Sequence, residues 1–236
     1  MEKLAQETYK LLNISLSSWQ LSAVACYIRE LETWNERYSL TAIRDPEKVL
    51  IKHFLDSFTC YRVMRSTPMN KVIDIGTGAG FPGLPLKILF PDIQVTLVES
   101  VKKKADFCQH IIEKLHLTGI EIICERAERL GNDEKHREAY DWAVARAVAK
   151  LAELAEYLLP FVKVKGKMLA MKGDSGPAEA QSAAEAFKLL GGHLRQLEHL
   201  NLPGVTEERY LVVIDKIAPT PPKYPRRVGT PAKRPL

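Results

Sequence analysis

Hydrophobic positions recur at helical spacing through the first 66 residues of the chain. Ser17 and Gln20 form the pattern of a capping box, which predicts a helix that runs to about Trp34. The apolar face of this helix contains Leu21, Val24, Ala25, Ile28 and Leu31. Pro46 favours the first turn of another helix. The apolar face of that helix contains Val49, Leu50, Phe54, Leu55 and Phe58.

From residue 67 onward, short apolar runs alternate with longer helical stretches. Five runs have the length and composition of buried strands: Lys71–Ile75, Gln94–Val98, Ile120–Cys124, Asp141–Ala145 and Lys167–Met171. Strands that alternate with helices predict an α/β fold with a parallel, doubly wound sheet. Two later runs are joined by a short turn region and are predicted as an antiparallel pair: His193–Leu200 and Tyr210–Ile217.

These patterns divide the chain into three parts. Residues 1–66 are predicted as an N-terminal helical extension, residues 67–217 as the sheet domain, and residues 218–236 as a basic, proline-rich tail. The segment 216–236 holds six basic residues and no acidic one, so residues 1–215 carry −1 of the total net charge of +5. We expect this tail to be extended and poor in regular structure. A solvated terminus and an arm that contacts phosphates are both compatible with it.

Composition narrows the class of protein. With 46% hydrophobic residues in 236, the chain can form a packed core, which excludes disordered, collagen-like and disulfide-dominated proteins. No apolar run is long enough to span a bilayer, and we expect a soluble, cytoplasmic protein without a membrane partner. The cysteines are widely spaced and form no CxxC pair, so we expect reduced, buried thiols at Cys26, Cys60, Cys108 and Cys124.

The most informative motif is the glycine loop that follows the first predicted strand. Gly76, Gly78 and Gly80 alternate with other residues, and a loop of this kind brings backbone N–H groups close to a ligand. The dinucleotide fingerprint requires glycine at the position of Phe81, and no Lys-Ser/Thr pair ends the loop. A cofactor with a pyrophosphate and a nucleoside triphosphate are therefore both disfavoured.

Glu99 ends the second predicted strand, 23 residues after Gly76. A carboxylate at this position can accept hydrogen bonds from both hydroxyls of a ribose. Loop and carboxylate together indicate a cofactor with a ribose but no phosphate, which points to S-adenosylmethionine. A nicotinamide-dependent oxidoreductase is the alternative with different chemistry, and Phe81 weakens it.

The motifs of this chain resemble those of the RsmG (GidB) family, class I S-adenosylmethionine-dependent methyltransferases that modify N7 of one guanine in bacterial small-subunit ribosomal RNA. The resemblance covers nearly the whole chain and rests on Trp34-Asn35, Leu40-Thr41, His53-Phe54-Leu55-Asp56-Ser57, the glycine loop, Arg126-Ala127-Glu128, Ala145-Arg146-Ala147, Lys172-Gly173 and the tail segment 224–231. Ser39 departs from the family, which usually has Asn in this W-N-x-x-x-N-L-T pattern. The resemblance implies a Rossmann-like fold with a mostly parallel, seven-stranded sheet, and a monomer.

The resemblance also implies site residues. Gly76 and Phe81 would border the cofactor, Ala127 and Glu128 would flank its adenine, and Arg146 would lie by the cofactor and the target base. The cofactor-binding set is therefore predicted as Gly76, Gly78, Gly80, Phe81, Glu99, Ala127, Glu128 and Arg146. All of these residues follow the carboxyl ends of predicted strands, where ligands of doubly wound sheets bind.

Guanine N7 has a free lone pair, so methylation there needs alignment of the reacting atoms rather than a general base. Arg146 and Lys172 are the candidate catalytic residues, as contacts to phosphate, to guanine O6 or to the cofactor carboxylate. Contacts to the RNA backbone are predicted for one residue placed on a helix and for three of the tail: Arg44, Arg226, Arg227 and Lys233. The substrate could be naked RNA, an assembly intermediate or the mature subunit.

His53 and Asp56 are three residues apart, but no further ligand completes a metal shell around them. We predict no metal site, and expect polar contacts that hold the helical extension against the glycine loop. Trp19, Trp34 and Trp142 are predicted as core residues. Two alternatives remain: a small-molecule methyltransferase, which needs no basic tail, and a non-enzymatic RNA-binding module.

Overall fold

Five consecutive strands run parallel in one sheet of the computed structural model, which describes all 236 residues. The strands are β1 (Lys71–Ile75), β2 (Gln94–Val98), β3 (Ile120–Ile123), β4 (Tyr140–Arg146), β5 (Val162–Lys172), β6 (Gly192–Leu200) and β7 (Arg209–Lys216). Their order is β3-β2-β1-β4-β5-β7-β6, and β7 is antiparallel to both β5 and β6. The predicted doubly wound sheet and its closing antiparallel pair are confirmed.

Helices precede the sheet and connect its strands. The N-terminal helices are α1 (Glu2–Leu12), α2 (Ser18–Tyr38), α3 (Pro46–Val49), α4 (Asp56–Phe58) and α5 (Tyr61–Met64), with a π-helical segment at Leu50–Leu55 between α3 and α4. The later helices are α6 (Gly83–Leu89), α7 (Lys102–Lys114), α8 (Ala127–Leu130), α9 (Leu151–Leu158), α10 (Gly176–Ser182), α11 (Ala184–Leu189) and α12 (Thr230–Lys233). The predicted capping box of Ser17 and Gln20 is confirmed at the start of α2.

The central strands are buried on both faces, as expected for a parallel sheet covered by helices. Alternate residues of β4 belong to two different hydrophobic clusters: Trp142 and Val144 pack in one, and Ala143 and Ala145 pack in the other. The first cluster also contains the apolar faces of α1 and α2. The N-terminal helices therefore pack on the same core as the sheet. No helix has the length and apolarity needed to cross a membrane.

Three details differ from the sequence-based expectations. β5 begins at Val162 rather than Lys167, because the exposed lysines at its start hide the strand pattern. All four thiols are free, but Cys124 is exposed, since it follows the last residue of the edge strand β3. Trp142 is fully buried, whereas Trp19 is 44% exposed in the first turn of α2, so its assignment to the core was wrong.

Candidate functional site

A cleft of about 440 Å³ opens at the carboxyl ends of β1, β4 and β5. The glycine loop lines one side, and residues 40–56 of the helical extension line another. One carboxylate, Asp56, lies among five cationic residues of the lining: Lys52, Lys104, Arg146, Lys172 and Arg209. Lys52, Arg146 and Lys172 are paired with the carboxylates of Glu207, Asp56 and Glu179. The remaining cationic residues, Lys104 and Arg209, can attract anions to the cleft.

The glycine loop needs glycine at two positions for different reasons. Gly80 has φ +93°, and a Cβ there would lie 2.3 Å from both the Leu84 side chain and the Tyr27 hydroxyl. Gly78 has φ +61°, and a Cβ there would meet nothing closer than the Gly76 carbonyl oxygen at 4.0 Å. Gly80 is therefore required by packing, whereas Gly78 leaves open space for a ligand against the backbone.

The structure brings Glu99 into contact with this loop, a contact that the sequence analysis did not predict. Oε2 of its buried carboxylate accepts a hydrogen bond from the Gly78 backbone N–H at 2.9 Å. Oε1 accepts one from the Val101 backbone N–H at 2.8 Å. An ionised carboxylate has about four acceptor positions, so Glu99 can fix the loop and still accept from the hydroxyls of a ribose.

A second carboxylate, that of Asp74, holds the glycine loop in place through hydrogen bonds. This residue was not identified from the sequence. Its Oδ2 accepts hydrogen bonds from the Thr77 hydroxyl at 2.6 Å and from the Gly83 backbone N–H at 2.8 Å. Burial raises the pKa of Asp74 to about 6, and its Oδ1 has no hydrogen-bond partner. A charged residue inside the apolar run of β1 is the signal that could have found it.

Arg146 joins the end of β4 to the helical extension. Its Nη1 donates to Asp56 Oδ2 and to the Lys52 carbonyl oxygen, both at 3.0 Å, and its Nη2 donates to His53 Nδ1 at 3.1 Å. The guanidinium lies 5.0 Å from the centroid of the Phe81 ring, and the His53 ring stacks on Phe81 at 4.6 Å. His53 and Asp56 therefore make their polar contacts with Arg146 of β4 rather than directly with the glycine loop, which His53 reaches by stacking on Phe81.

The network continues into the loop after α2. Because His53 Nδ1 accepts from Arg146, its Nε2 carries the proton and donates to the Thr41 hydroxyl at 2.9 Å. The Asn35 side chain in turn pairs with both the N–H and the carbonyl of Thr41 at 2.9 Å. Burial, together with the nearby charge of Arg146, lowers the pKa of His53 to about 3, which keeps the imidazole neutral.

A smaller pocket of about 80 Å³ lies beyond Gly76, toward β3. Ala127 and Glu128 line it, as the resemblance implies for an adenine site. The Glu128 carboxylate, however, accepts a hydrogen bond from the Gly229 backbone N–H at 2.9 Å and pairs with Arg126 at 3.3 Å. No sequence motif indicated this contact between the pocket and the C-terminal tail.

Lys172 lines the cleft, but its ammonium group is engaged inside the protein. Nζ donates to the Ala149 carbonyl oxygen at 2.9 Å and pairs with Glu179 at 2.8 Å, and the side chain is 11% exposed. Two of its three N–H donors are used in this way, and the contact of Lys172 with phosphate, guanine O6 or the cofactor carboxylate stays a prediction. Within the fold, the residue ties the loop after β4 to α10.

The basic tail is irregular apart from α12, as expected, yet it is not a freely solvated terminus. The Arg226 guanidinium forms three hydrogen bonds with the fully buried Glu156 carboxylate at 2.6–3.0 Å. This contact holds Nε and Nη2 of Arg226 within the fold and leaves Nη1 without a partner there, so its contact with RNA stays a prediction. Arg227 and Lys233 are exposed.

Arg44 was predicted on a helix, but it lies in the loop before α3, where it is exposed. His53 and Asp56 both serve as partners of Arg146. No group of three or more His, Cys, Asp or Glu side chains in the structure is arranged to hold a metal ion.

Comparison with known proteins adds independent information. Residues 20–211 match the sequence profile of the GidB family, described as rRNA small subunit methyltransferase G. A ribosomal RNA small subunit methyltransferase G from Roseiflexus castenholzii is 50% identical over 223 residues, which cover 94% of each chain. The protein of that name from Chloroflexus aggregans is 46% identical over 235 residues, which cover all of this chain and 98% of the relative.

Solved structures resemble the fold at much lower identity. An S-adenosylmethionine-dependent O-methyltransferase from Thermotoga maritima matches with a TM-score of 0.55 and 14% identity, over 83% of this chain and 72% of the other. TrmN from Thermus thermophilus matches with a TM-score of 0.53 and 19% identity, over 71% of this chain and 53% of the other. These matches establish a class I methyltransferase fold.

Proposed function

Because the chain belongs to the ribosomal RNA small subunit methyltransferase G family, we propose that it transfers a methyl group from S-adenosylmethionine to N7 of one guanine in small-subunit ribosomal RNA. The observation that carries this proposal is the position of the Glu99–Gly78 contact beside a cleft whose lining includes Lys104 and Arg209, two cationic residues without a closely paired carboxylate. The residues proposed to bind the cofactor (the cradle) and those proposed to bind RNA therefore lie at the same cleft.

The residues of the cradle fit S-adenosylmethionine. Glu99 retains acceptor positions for ribose hydroxyls, Gly78 leaves open space against the backbone, and Ala127 lines the pocket proposed for the adenine. S-Adenosylmethionine supplies an electrophilic methyl group when it is bound. No cationic side chain forms an ion pair with either oxygen of Glu99. The acceptor positions that remain on this carboxylate therefore favour a ligand with hydroxyl donors.

His53, the imidazole that lines the cleft, is not available as a general base. Both of its ring nitrogens are committed to Arg146 and Thr41, and its low pKa keeps it neutral without making a nitrogen available. Guanine N7 has no proton to lose, so methylation at N7 needs no such base.

We propose that RNA backbone contacts come from exposed basic residues around the site. Arg227 and Lys233 of the tail and Arg44 of the helical extension are exposed, and Lys104 and Arg209 line the cleft. Phosphate contacts of this kind position the substrate and make its binding depend on salt. We propose that the protein acts in the cytoplasm and as a monomer, since ribosomal RNA is the proposed substrate.

The function is tested by transfer of tritiated methyl from S-adenosylmethionine to small ribosomal subunits and to naked RNA from cells that lack this protein. We expect label in 7-methylguanosine at one position of the RNA. Subunits from cells that contain the protein are the matched control, since their site is already modified. Cofactor binding by calorimetry without any label in either RNA substrate would contradict the proposal and favour a small-molecule acceptor.

A further inference from the structure

Asp56 stands apart from the other groups that line the cleft. It is the one carboxylate in a lining with five cations, and its side chain is 95% buried in contact with Arg146. Burying a carboxylate costs free energy even when it is paired with a cation, so a buried aspartate in a cleft indicates a functional role. The ion pair with Arg146 uses only one of the two carboxylate oxygens of Asp56.

The two oxygens of Asp56 have different surroundings. Oδ2 accepts the hydrogen bond from Arg146 Nη1 at 3.0 Å. Oδ1 accepts no hydrogen bond within the protein, and Arg209 Nε lies 4.0 Å from it, beyond hydrogen-bond distance. Asp56 is part of the lining of the cleft, and Oδ1 is the oxygen that Arg146 leaves unused.

Arg146 next to it retains donors. Its guanidinium has five N–H groups, of which two on Nη1 and one on Nη2 are used by Lys52, Asp56 and His53. The N–H of Nε and the second N–H of Nη2 are free. The cleft therefore presents a free donor beside a free, negatively charged acceptor.

Guanine presents an acceptor and two donors along one edge, which complement a free donor and a free acceptor. The edge of the base carries the O6 acceptor and then the N1–H and 2-amino donors, while adenine has an acceptor at N1 and no 2-amino group. We propose that Asp56 Oδ1 accepts a hydrogen bond from the 2-amino group of the target guanine, and so selects the base that is methylated. This inference rests on the proposed function, because it takes guanine as the acceptor.

The test uses small subunits reconstituted with RNA in which the target guanosine is replaced by inosine, which keeps N7, O6 and N1–H but lacks the 2-amino group. We expect the wild-type protein to methylate guanosine with a kcat/KM about 10- to 100-fold above that for inosine, the effect of one hydrogen bond to a charged group. In Asp56→Asn the ratio is expected to fall below about threefold. Asp141→Asn, which changes another buried aspartate, at the opposite end of β4, is expected to keep the wild-type ratio.

The outcomes separate the two proposals. If the wild-type protein methylates neither base, the proposed function fails. If it methylates guanosine and inosine equally, or if Asp56→Asn keeps the wild-type ratio, the function stands and the role of Asp56 is overturned. Should Asp56→Asn not fold, Asp56→Glu preserves the charge beside Arg146 but displaces the acceptor by one methylene. An unchanged ratio in that folded variant would equally reject the inference.

Discussion

Nη2 of Arg146 donates a hydrogen bond to Nδ1 of His53 at 3.1 Å, so the last residue of β4 requires an unprotonated imidazole from the helical extension. A protonated His53 has no acceptor to offer and would repel the guanidinium. Protonation of His53 therefore weakens the contact that holds the helical extension to Arg146 of β4.

The stability of the protein is expected to decrease in mild acid because of His53. Its pKa is about 3 in the fold and about 6.5 in the unfolded chain, so the unfolded state binds the additional proton between these values. The contribution of His53 is complete above pH 6.5 and is lost progressively as the pH falls toward 3, by up to about 1.4 kcal/mol for each pH unit.

Urea unfolding of the wild type and His53→Gln between pH 4.5 and 7.5 measures this dependence. We expect the curve of unfolding free energy against pH to be flatter for His53→Gln. His193→Gln, at an exposed position of β6, is the matched control and should retain the wild-type slope. Parallel curves for His53→Gln and the wild type would show that this ring titrates normally in the fold.

Glu99→Gln is expected to weaken cofactor binding by about 1.5–3 kcal/mol, the cost of losing hydrogen bonds to a charged acceptor. The amide keeps the volume of the side chain, but its NH₂ group meets a backbone N–H of Gly78 or Val101 where an oxygen had accepted. Calorimetric titration with S-adenosylmethionine measures the change. Glu113→Gln on the exposed side of α7 should bind like the wild type, and equal affinities for all three proteins would remove Glu99 from the cradle.

Arg226→Ala is expected to destabilise the fold by about 3 kcal/mol, because it leaves the buried Glu156 carboxylate without its ionic partner. The partial exposure of Arg226 lowers this figure through solvent screening. Chemical denaturation measures it, with the exposed neighbour as control: Arg227→Ala should change stability by less than about 0.5 kcal/mol. Equal losses in the two variants would mean that the ion pair contributes nothing specific.

The double variant Arg227→Ala/Lys233→Ala is expected to bind small-subunit RNA more weakly, with the logarithmic salt slope reduced by about 1 for each phosphate contact removed. Cofactor affinity should not change. The control for net charge alone is Lys10→Ala/Lys188→Ala, which removes the same amount of positive charge at exposed positions of α1 and α11. A slope that changes equally in both double variants would count against a specific role of the tail.

Ser39→Asn is expected to stabilise the protein by about 0.5 kcal/mol. Ser39 ends α2 in a left-handed conformation, with φ +48° and ψ +55°, which asparagine adopts more readily than serine. Thermal unfolding of Ser39→Asn and Ser39→Val should therefore give shifts of opposite sign. A lower melting temperature for Ser39→Asn would indicate that the serine hydroxyl has a role of its own.

Local signals in the sequence were sufficient for the sheet and for the positions of the glycine loop and Glu99 at the ends of β1 and β2. Strand length, apolar composition and alternation with helices are properties of short segments, and a strand followed by glycines fixes where the loop lies. The start of β5 was missed because lysines occupy positions of a strand that are exposed to solvent.

The partners of Lys172 and Arg226 could not be predicted, because they depend on residues distant in sequence. Arg226 meets Glu156 across 70 positions, and nothing near either residue indicates the other. The sequence does not distinguish a basic side chain that contacts RNA from one that pairs with a buried carboxylate. The same limit applies to Asp56 and Arg146, which lie 90 positions apart.

The bond from the Gly229 N–H to Glu128 also has a consequence for the order in which the protein folds. The two residues are 101 positions apart, so bringing them together directly would close a long loop at an entropic cost. Strands β4 to β7 lie between them in sequence, and pairing of these strands brings the two ends of the segment together. We therefore expect Glu128 to gain this partner late, after the sheet has formed.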